Sequence, residues 1–238
     1  TIDHLHLHVI PRYHGDVPDP RGGVRLAIPS RGNYLTAPEP SANFDGFQLF
    51  DSSADRYLGL ELLRCLINPE YDRIDLVVSF VMRSGLEVIE SRLADALERG
   101  AEVRILTSDY LNVTDHLALR RLLDLGEQFG PSIQTRVFRS GGTSFHPKSY
   151  IFWSSTSSVA AGFVGSSNLS ESGLEGGVEW NVGLRQVAPL RQSFDTVWVD
   201  NRSQPLSAEF LETYRRNRAP LAQPAPVSEA VTESDPEP

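Results

Sequence analysis

A histidine and a lysine two residues apart are the residues of this sequence best suited to carry out chemistry. His146 and Lys148 lie in a segment that we predict to be a strand, so both side chains should project from one face. Imidazole is a competent nucleophile at neutral pH, and a neighbouring ammonium can hold a phosphoryl oxygen. The pair therefore indicates chemistry on a phosphate group.

A turn of small residues and a carboxylate extend this set. The turn, Gly-Ser-Ser-Asn at 165–168, follows a predicted strand and precedes a short predicted helical segment. Its small residues let backbone N–H groups face an anion, and Asn168 adds a side-chain amide donor. Glu179 lies on the next predicted strand, where its carboxylate could accept a hydrogen bond from Nδ1–H of His146 and fix the imidazole tautomer.

The lysine of this set stands out in the composition. The chain has 22 lysine and arginine residues, and Lys148 is the only lysine among them. A compact ammonium and a planar guanidinium are not interchangeable where geometry matters. One interpretation is that Lys148 is kept because a point charge is required there, and the alternative is chance.

The same residues resemble the phospholipase D superfamily, whose mark is an HxK motif followed by a GSxN turn. His146, Lys148, Ser166, Asn168 and Glu179 together look like one half-site of that family. The resemblance implies that the histidine attacks phosphorus and forms a phosphohistidine. It also implies that the lysine and the asparagine bind the non-bridging oxygens, and that no metal or other cofactor is needed.

The sequence departs from the family pattern in two ways. The family usually has an aspartate five residues after its lysine, and this chain has Trp153 there. The family active site also joins two half-sites, whereas this chain contains one. The resemblance therefore implies a second copy, supplied by a homodimer or by another chain.

A second histidine cluster lies at the start of the chain. His4, His6 and His8 alternate with aliphatic residues, which predicts a strand with three histidines on one face. Alternating histidines are also a metal-ligand pattern, although a zinc site is the weaker interpretation. Residues 1–29 resemble the C-terminal end of a HIT (histidine triad) domain, which implies His6 as a nucleophile and His8 as a phosphate ligand. Because the upstream part of such a domain is absent here, we expect this remnant to be inactive.

The hydrophobic pattern predicts an α/β fold with a mixed sheet flanked by helices, after the N-terminal strand of the HIT remnant. Continuous apolar runs indicate buried strands, and apolar residues at helical spacing separate them. An alternation of strand and helix favours a parallel or mixed sheet, and a Ser/Thr turn predicts a hairpin after it. The predicted strands are 74–81, 103–107, 134–138, 148–153, 159–165 and 178–184, and the predicted helices are 57–67, 86–97, 117–129, 190–199 and 208–218.

These patterns predict four regions. The HIT remnant, 1–29, is followed by a linker at 30–51, which is poor in large apolar residues. The phospholipase D-like domain occupies 52–218. The Ala-, Pro- and Glu-rich tail at 219–238 has too little apolar surface to order itself.

Composition narrows the class of protein. The net charge of −9 argues against a strongly basic nucleic-acid coat. No apolar run approaches the roughly 18 residues that span a bilayer, and no signal-peptide pattern is present, so we expect no membrane partner. A single cysteine excludes an internal disulfide framework and favours the cytoplasm.

The predicted function is metal-independent cleavage of phosphodiesters, most simply those of DNA. The order of a HIT end, a linker and a phospholipase D-like module resembles bacterial restriction or phage-defence proteins in which a helicase follows, so a helicase domain or subunit is an expected partner. Two alternatives stay open. One is a catalytically inactive DNA-binding module of the same fold, and the other is a HIT-type nucleotide hydrolase.

Overall fold

The structure is a computed structural model that describes residues 47–52 and 56–217. The predicted HIT remnant, most of the predicted linker and the acidic tail lie outside the described residues. The described strands are β1 (Phe47–Phe50), β2 (Arg73–Val78), β3 (Glu102–Ser108), β4 (Ile133–Phe138), β5 (Lys148–Trp153), β6 (Ala160–Gly165), β7 (Asn181–Leu184) and β8 (Ser203–Pro205). The α-helices are α1 (Leu58–Ile67), α2 (Arg83–Glu98), α3 (His116–Phe129), α4 (Ala188–Trp198) and α5 (Ala208–Asn217).

The strands form one eight-stranded sheet in the order β1-β7-β6-β5-β2-β3-β4-β8. Strands β2, β3 and β4 are parallel neighbours, and the other pairings are antiparallel. The prediction of an α/β fold with a mixed sheet flanked by helices is confirmed. The parallel strands come from the strand–helix alternation, and the antiparallel half begins with the predicted hairpin of β5 and β6.

The core lies on both faces of this sheet. Strand β2 is buried along five of its six residues, as its continuous apolar run predicts. One face packs against α1, α2 and α3 through a large cluster that includes Leu62, Leu93 and Tyr150. The other face packs against α4 through Ile151, Phe194 and neighbouring residues. Because the central strands are buried on both faces, the positions of their ends, and of the loops that follow them, are fixed.

Local signals set the helix boundaries. The Asp115 side chain accepts a hydrogen bond from the backbone N–H of Leu117, which caps α3. Gly100 follows α2 with a φ of 94°, a conformation that glycine adopts without steric cost.

The sheet is larger than the sequence pattern predicts. Residues 47–50, placed in the predicted linker, form edge strand β1 and pair antiparallel with β7. Phe50 anchors this strand, because it is buried and meets the Phe163 ring edge-on at 5.6 Å. Strand β8, at the opposite edge, is three residues long and was not predicted. Both strands are too short for an alternating pattern to stand out.

No helix in the described part of the chain is long and apolar enough to cross a membrane.

Candidate active site

The site lies at the edge of the sheet where the parallel strands end and β5 begins. Lys148 is the first residue of β5 and pairs with Val78, the last residue of β2. Its Nζ donates hydrogen bonds to Ser79 Oγ at 3.0 Å and to the carbonyl oxygen of His146 at 2.9 Å. A lysine ammonium has three protons to donate, so these bonds aim the group and leave one proton for a ligand oxygen.

Two opposing effects act on this ammonium. Burial lowers the pKa of Lys148, and the nearby carboxylate of Glu179 acts in the opposite direction. The net direction is downward. Ser79 is itself fixed, because its carbonyl accepts a hydrogen bond from Ser108 Oγ at the end of β3.

His146 lies in the loop just before β5, and not within the strand as the spacing predicted. Its side chain is exposed, and its ring meets the Tyr110 ring edge-on at 5.2 Å. Tyr110 begins a short 3-10 helix after β3, so the imidazole and the ammonium share one sheet edge. An exposed imidazole held on one side by a ring can approach a bound phosphate.

Asn168 closes the site from the other side. It is buried, and its Oδ1 accepts a hydrogen bond from the backbone N–H of Phe80 at 3.2 Å. The backbone of the next residue, Leu169, pairs with the segment after β2 through the N–H of Met82 at 2.8 Å. Because the amide oxygen is already used, the NH₂ group of Asn168 is the part able to donate to a phosphate oxygen.

The glycine of the turn is required by a close approach of β7. A Cβ at Gly165 would lie 2.2 Å from the carbonyl oxygen of Trp180 and 2.4 Å from Oδ1 of Asn181. The sequence interpretation assigned the small residues of this turn to anion binding. The structure shows that Gly165 also serves strand packing.

Glu179 has a different partner from the one predicted. Its carboxylate accepts a hydrogen bond from the hydroxyl of Ser166, and no hydrogen bond or ion pair joins it to His146 within the described residues. The cause is strand register. Gly165 pairs with Asn181 and the backbone of Ser166 bonds to that of Trp180, so Glu179, the residue before Trp180, lies within reach of the Ser166 hydroxyl. The expected role of Glu179 in fixing the tautomer of its own chain's histidine is therefore not observed.

Trp153, at the position where the family usually has an aspartate, has a structural contact. Its Nε1–H donates to Oδ2 of buried Asp75 at 3.0 Å, and the Arg191 guanidinium lies 3.4 Å from its ring centroid. Both contacts lie at the far end of β5 from Lys148. His4, His6 and His8 lie outside the described residues.

Sequence reasoning missed Ser79 and Tyr110. A signal for both exists, since each follows closely on a buried parallel strand, and ligands of open α/β sheets bind at the carboxyl ends of such strands. The structure thus unites His146, Lys148, Ser166, Asn168 and Glu179 at one edge, supported by these two residues. The arrangement brings an exposed imidazole, an ammonium and an amide NH₂ group to one end of the sheet.

Comparison with solved structures gives distant matches. Phosphatidylserine synthase from Haemophilus influenzae Rd KW20 matches with a TM-score of 0.52 and 12% identity, over 71% of this chain and 44% of that chain. Nuc from Salmonella typhimurium, a phospholipase D family member, matches with a TM-score of 0.49 and 17% identity, over 67% of this chain and 96% of that chain. NucT from Helicobacter pylori matches with a TM-score of 0.45 and 17% identity, over 68% of this chain and 98% of that chain.

A comparison with curated protein sequences returns no match. A family model described as "Cardiolipin synthase, PLD-like domain" does match, over residues 63–198. This range covers more than half of the chain and contains His146, Lys148, Asn168 and Glu179. The chain belongs to this PLD-like family.

Proposed function

We propose that this protein is a phosphodiesterase that cleaves DNA without a metal, with His146 as the nucleophile. The observation that carries the proposal is the hydrogen bonding of the Lys148 ammonium. Its Nζ donates to Ser79 Oγ and to the carbonyl oxygen of His146, which leaves one of its three protons for a ligand, and the side chain of His146 is exposed. A cation aimed in this way stabilises charge that develops on phosphoryl oxygens.

The proposed reaction has two steps. A ring nitrogen of His146 forms a bond to phosphorus as the bond from phosphorus to the leaving oxygen breaks, and a general acid protonates that oxygen. Water then attacks the phosphohistidine, gives up a proton to a base and releases His146 with the phosphate product. Lys148 and the NH₂ group of Asn168 hold the non-bridging oxygens through both steps.

The general acid must come from a second group, since one imidazole cannot attack phosphorus and protonate the leaving oxygen in the same step. We propose that a homodimer supplies it, with a second copy of His146 facing the first across the phosphate. Two-fold dimers are the commonest oligomers and meet this need with one interface.

DNA is the proposed substrate because His146 lies exposed at an open sheet edge that a phosphate within a polymer can reach. In this proposal the protein acts in the cytoplasm, with a helicase domain or subunit as a further partner in restriction or phage defence. The resemblance in domain order supports this role.

The test of the proposed function is a cleavage assay in EDTA, with the wild type and His146→Ala side by side. We expect cleavage of DNA to persist in EDTA and to be lost in His146→Ala. Activity that disappears with the chelator and returns with magnesium would overturn the mechanism. Cleavage of phospholipid vesicles in place of DNA would overturn the substrate.

The alternatives have their own outcomes. DNA binding without cleavage supports an inactive binding module. Hydrolysis of dinucleoside polyphosphates that is lost in His6→Ala supports HIT chemistry.

The dimer is tested by mixing. Wild type mixed with an excess of inactive His146→Ala should lose activity beyond simple dilution, because mixed dimers carry one nucleophile. Analytical ultracentrifugation should show a dimer at micromolar concentration. A monomer that cleaves DNA would contradict the shared site.

A further inference from the structure

An exposed tryptophan lies directly beside the turn of the candidate site. Trp180 is 67% exposed. Its backbone N–H donates to Ser166 Oγ at 3.0 Å, and its carbonyl accepts from the backbone N–H of Ser166 at 3.0 Å. The second bond continues the antiparallel pairing of β6 with β7 by one residue, so the backbone of Trp180 is fixed beside the turn that carries Ser166.

The neighbours of this indole connect it to the phosphate-binding groups. Glu179, the preceding residue, contacts Ser166, and its charge acts on Lys148. Val178, two residues before Trp180, is 89% exposed and adds a second apolar side chain at the same margin. The two exposed apolar residues therefore flank Glu179 in sequence, the residue whose charge acts on Lys148.

The other two tryptophans of the chain are covered. Trp153 is stacked under Arg191, and Trp198 lies against Phe194 at 5.5 Å and under Arg136 at 4.7 Å. In the described part of the chain, no aromatic ring or cation covers the indole of Trp180. A single exposed apolar side chain is ordinary on a protein surface, but Trp180 and Val178 are two of them within three residues, next to the turn of the candidate site.

The charge of the chain indicates which interactions could supply affinity for a nucleic-acid ligand. The chain carries a net charge of −9, which argues against a broad basic surface as the main source of affinity for a nucleic acid. Arg139, near the site, is paired with Asp109 at 2.8 Å. Aromatic stacking is the other main source of affinity for single strands, and it does not depend on positive charge.

We propose that Trp180 stacks on a nucleobase adjacent to the phosphate held by Lys148 and Asn168, so the preferred substrate is a single-stranded or locally unpaired nucleic acid. A base within a duplex has both faces occupied by its neighbours and cannot offer one to an indole. This inference rests on the proposed function, since it assumes that the site holds a nucleic-acid phosphate.

The experiment measures binding in a His146→Ala background, so that cleavage does not interfere. The probes are an oligo(dT) strand, the matching dT·dA duplex and an abasic strand of the same length. Binding is followed with fluorescently labelled strands for Trp180→Ala, Trp180→Phe and Val199→Ala. Val199 is 73% exposed at the end of α4 and serves as the matched surface control.

We expect Trp180→Ala to weaken binding of oligo(dT) by about 5- to 100-fold, the range for loss of one stacked base. Trp180→Phe should keep most of the affinity, and Val199→Ala should leave it unchanged. The effect of Trp180→Ala should vanish on the abasic strand, and the duplex should bind more weakly than the single strand. Thermal unfolding checks that all variants are folded.

Three results would overturn this inference: equal binding of single strand and duplex, equal loss on the abasic strand, or a Trp180→Ala variant that becomes monomeric while its affinity for oligo(dT) is unchanged. The last result would assign the indole to a contact between two copies of the chain. Stacking that depends on Trp180 without cleavage by the wild type would refute the proposed catalysis and leave this inference standing. Cleavage with binding that ignores Trp180 would do the reverse.

Discussion

The charged groups at the two ends of strand β5 differ in how fully their hydrogen-bonding positions are filled. At its last residue, Trp153 donates to Asp75, whose other carboxylate oxygen accepts from Arg104 Nε at 2.6 Å. At its first residue, Lys148 donates to two neutral oxygens and meets no carboxylate within ion-pairing distance in the described residues. Asp75 and Lys148 lie on neighbouring strands of one sheet. Both carboxylate oxygens of Asp75 have a hydrogen-bond donor, whereas Lys148 keeps one ammonium proton for a ligand, so we call these the saturated and the unsaturated end of β5.

The saturated end extends into a larger network. Arg104 also pairs with Asp195 at 2.9 Å and lies 4.7 Å from the centroid of the Phe194 ring. The hydrogen bonds and charges of both aspartates raise the pKa of Arg104 against the effect of burial, which lowers it. A buried charge that is fully paired and hydrogen-bonded holds α4 on the sheet and has no capacity left for a ligand.

This difference distinguishes a charge that stabilises the fold from a charge that is able to bind a ligand. A phosphate oxygen could accept the remaining ammonium proton of Lys148, whereas the Asp75 carboxylate already has a donor at each of its two oxygens. The rarity of lysine in the chain pointed to the first group. The sequence analysis did not single out Asp75, although Asp75 is the one charged residue within the predicted buried strand 74–81.

The largest expected effect is on stability at the saturated end. Asp75→Ala leaves Arg104 with Asp195 alone and removes the acceptor of the Trp153 indole, so we expect the free energy of unfolding to fall by about 3 kcal/mol. Chemical denaturation measures the change, and Asp124→Ala, which breaks an exposed helical pair with Arg120, should cost under about 0.5 kcal/mol. Cleavage per folded molecule should be unchanged, and its loss would assign Asp75 to the site.

The second effect is on turnover at the unsaturated end. Lys148→Arg keeps the charge but cannot place it at the same point, so kcat should fall by about 10²- to 10³-fold. Steady-state cleavage in EDTA measures this, and turnover equal to that of the wild type would make the lysine incidental.

A companion variant, Lys148→Met, reports on stability. Burial lowers the pKa of Lys148 in the folded chain, so its ammonium opposes folding at neutral pH, and this opposition fades as pH rises through the folded and then the unfolded pKa. Lys148→Met should therefore be inactive with a Tm at pH 7 no lower than that of the wild type. A clear drop in Tm would show that the Lys148 ammonium stabilises the fold, as the Asp75 network does at the other end of β5.

The smallest effect concerns Tyr110, which positions His146 through its ring. Loss of an edge-to-face contact is worth up to about 1.5 kcal/mol, so Tyr110→Ala should lower kcat by up to roughly tenfold with little change in KM. Tyr110→Phe keeps the ring and should restore the rate. Failure of phenylalanine to restore it would assign the role to the hydroxyl.

The sequence by itself predicted most of the elements and proposed the members of the candidate site. Runs rich in apolar residues identified strands β2 and β3, because strands buried on both faces contain few polar residues, and helical spacing identified the helices between the strands. The types and spacing of His146, Lys148 and Asn168 predicted a phosphate site, because few residue types suit that chemistry.

Only the tertiary structure decided which partners these residues have. Edge strand β1 forms because Phe50 fits against Phe163, a contact across more than a hundred residues that no local pattern encodes. The turn after β6 places Ser166 within hydrogen-bonding reach of the Glu179 carboxylate, whereas the sequence suggested His146 as its partner. Partners depend on register and on the packing of distant segments, and for that reason hydrogen bonds across strands could not be derived from the order of residues along the chain.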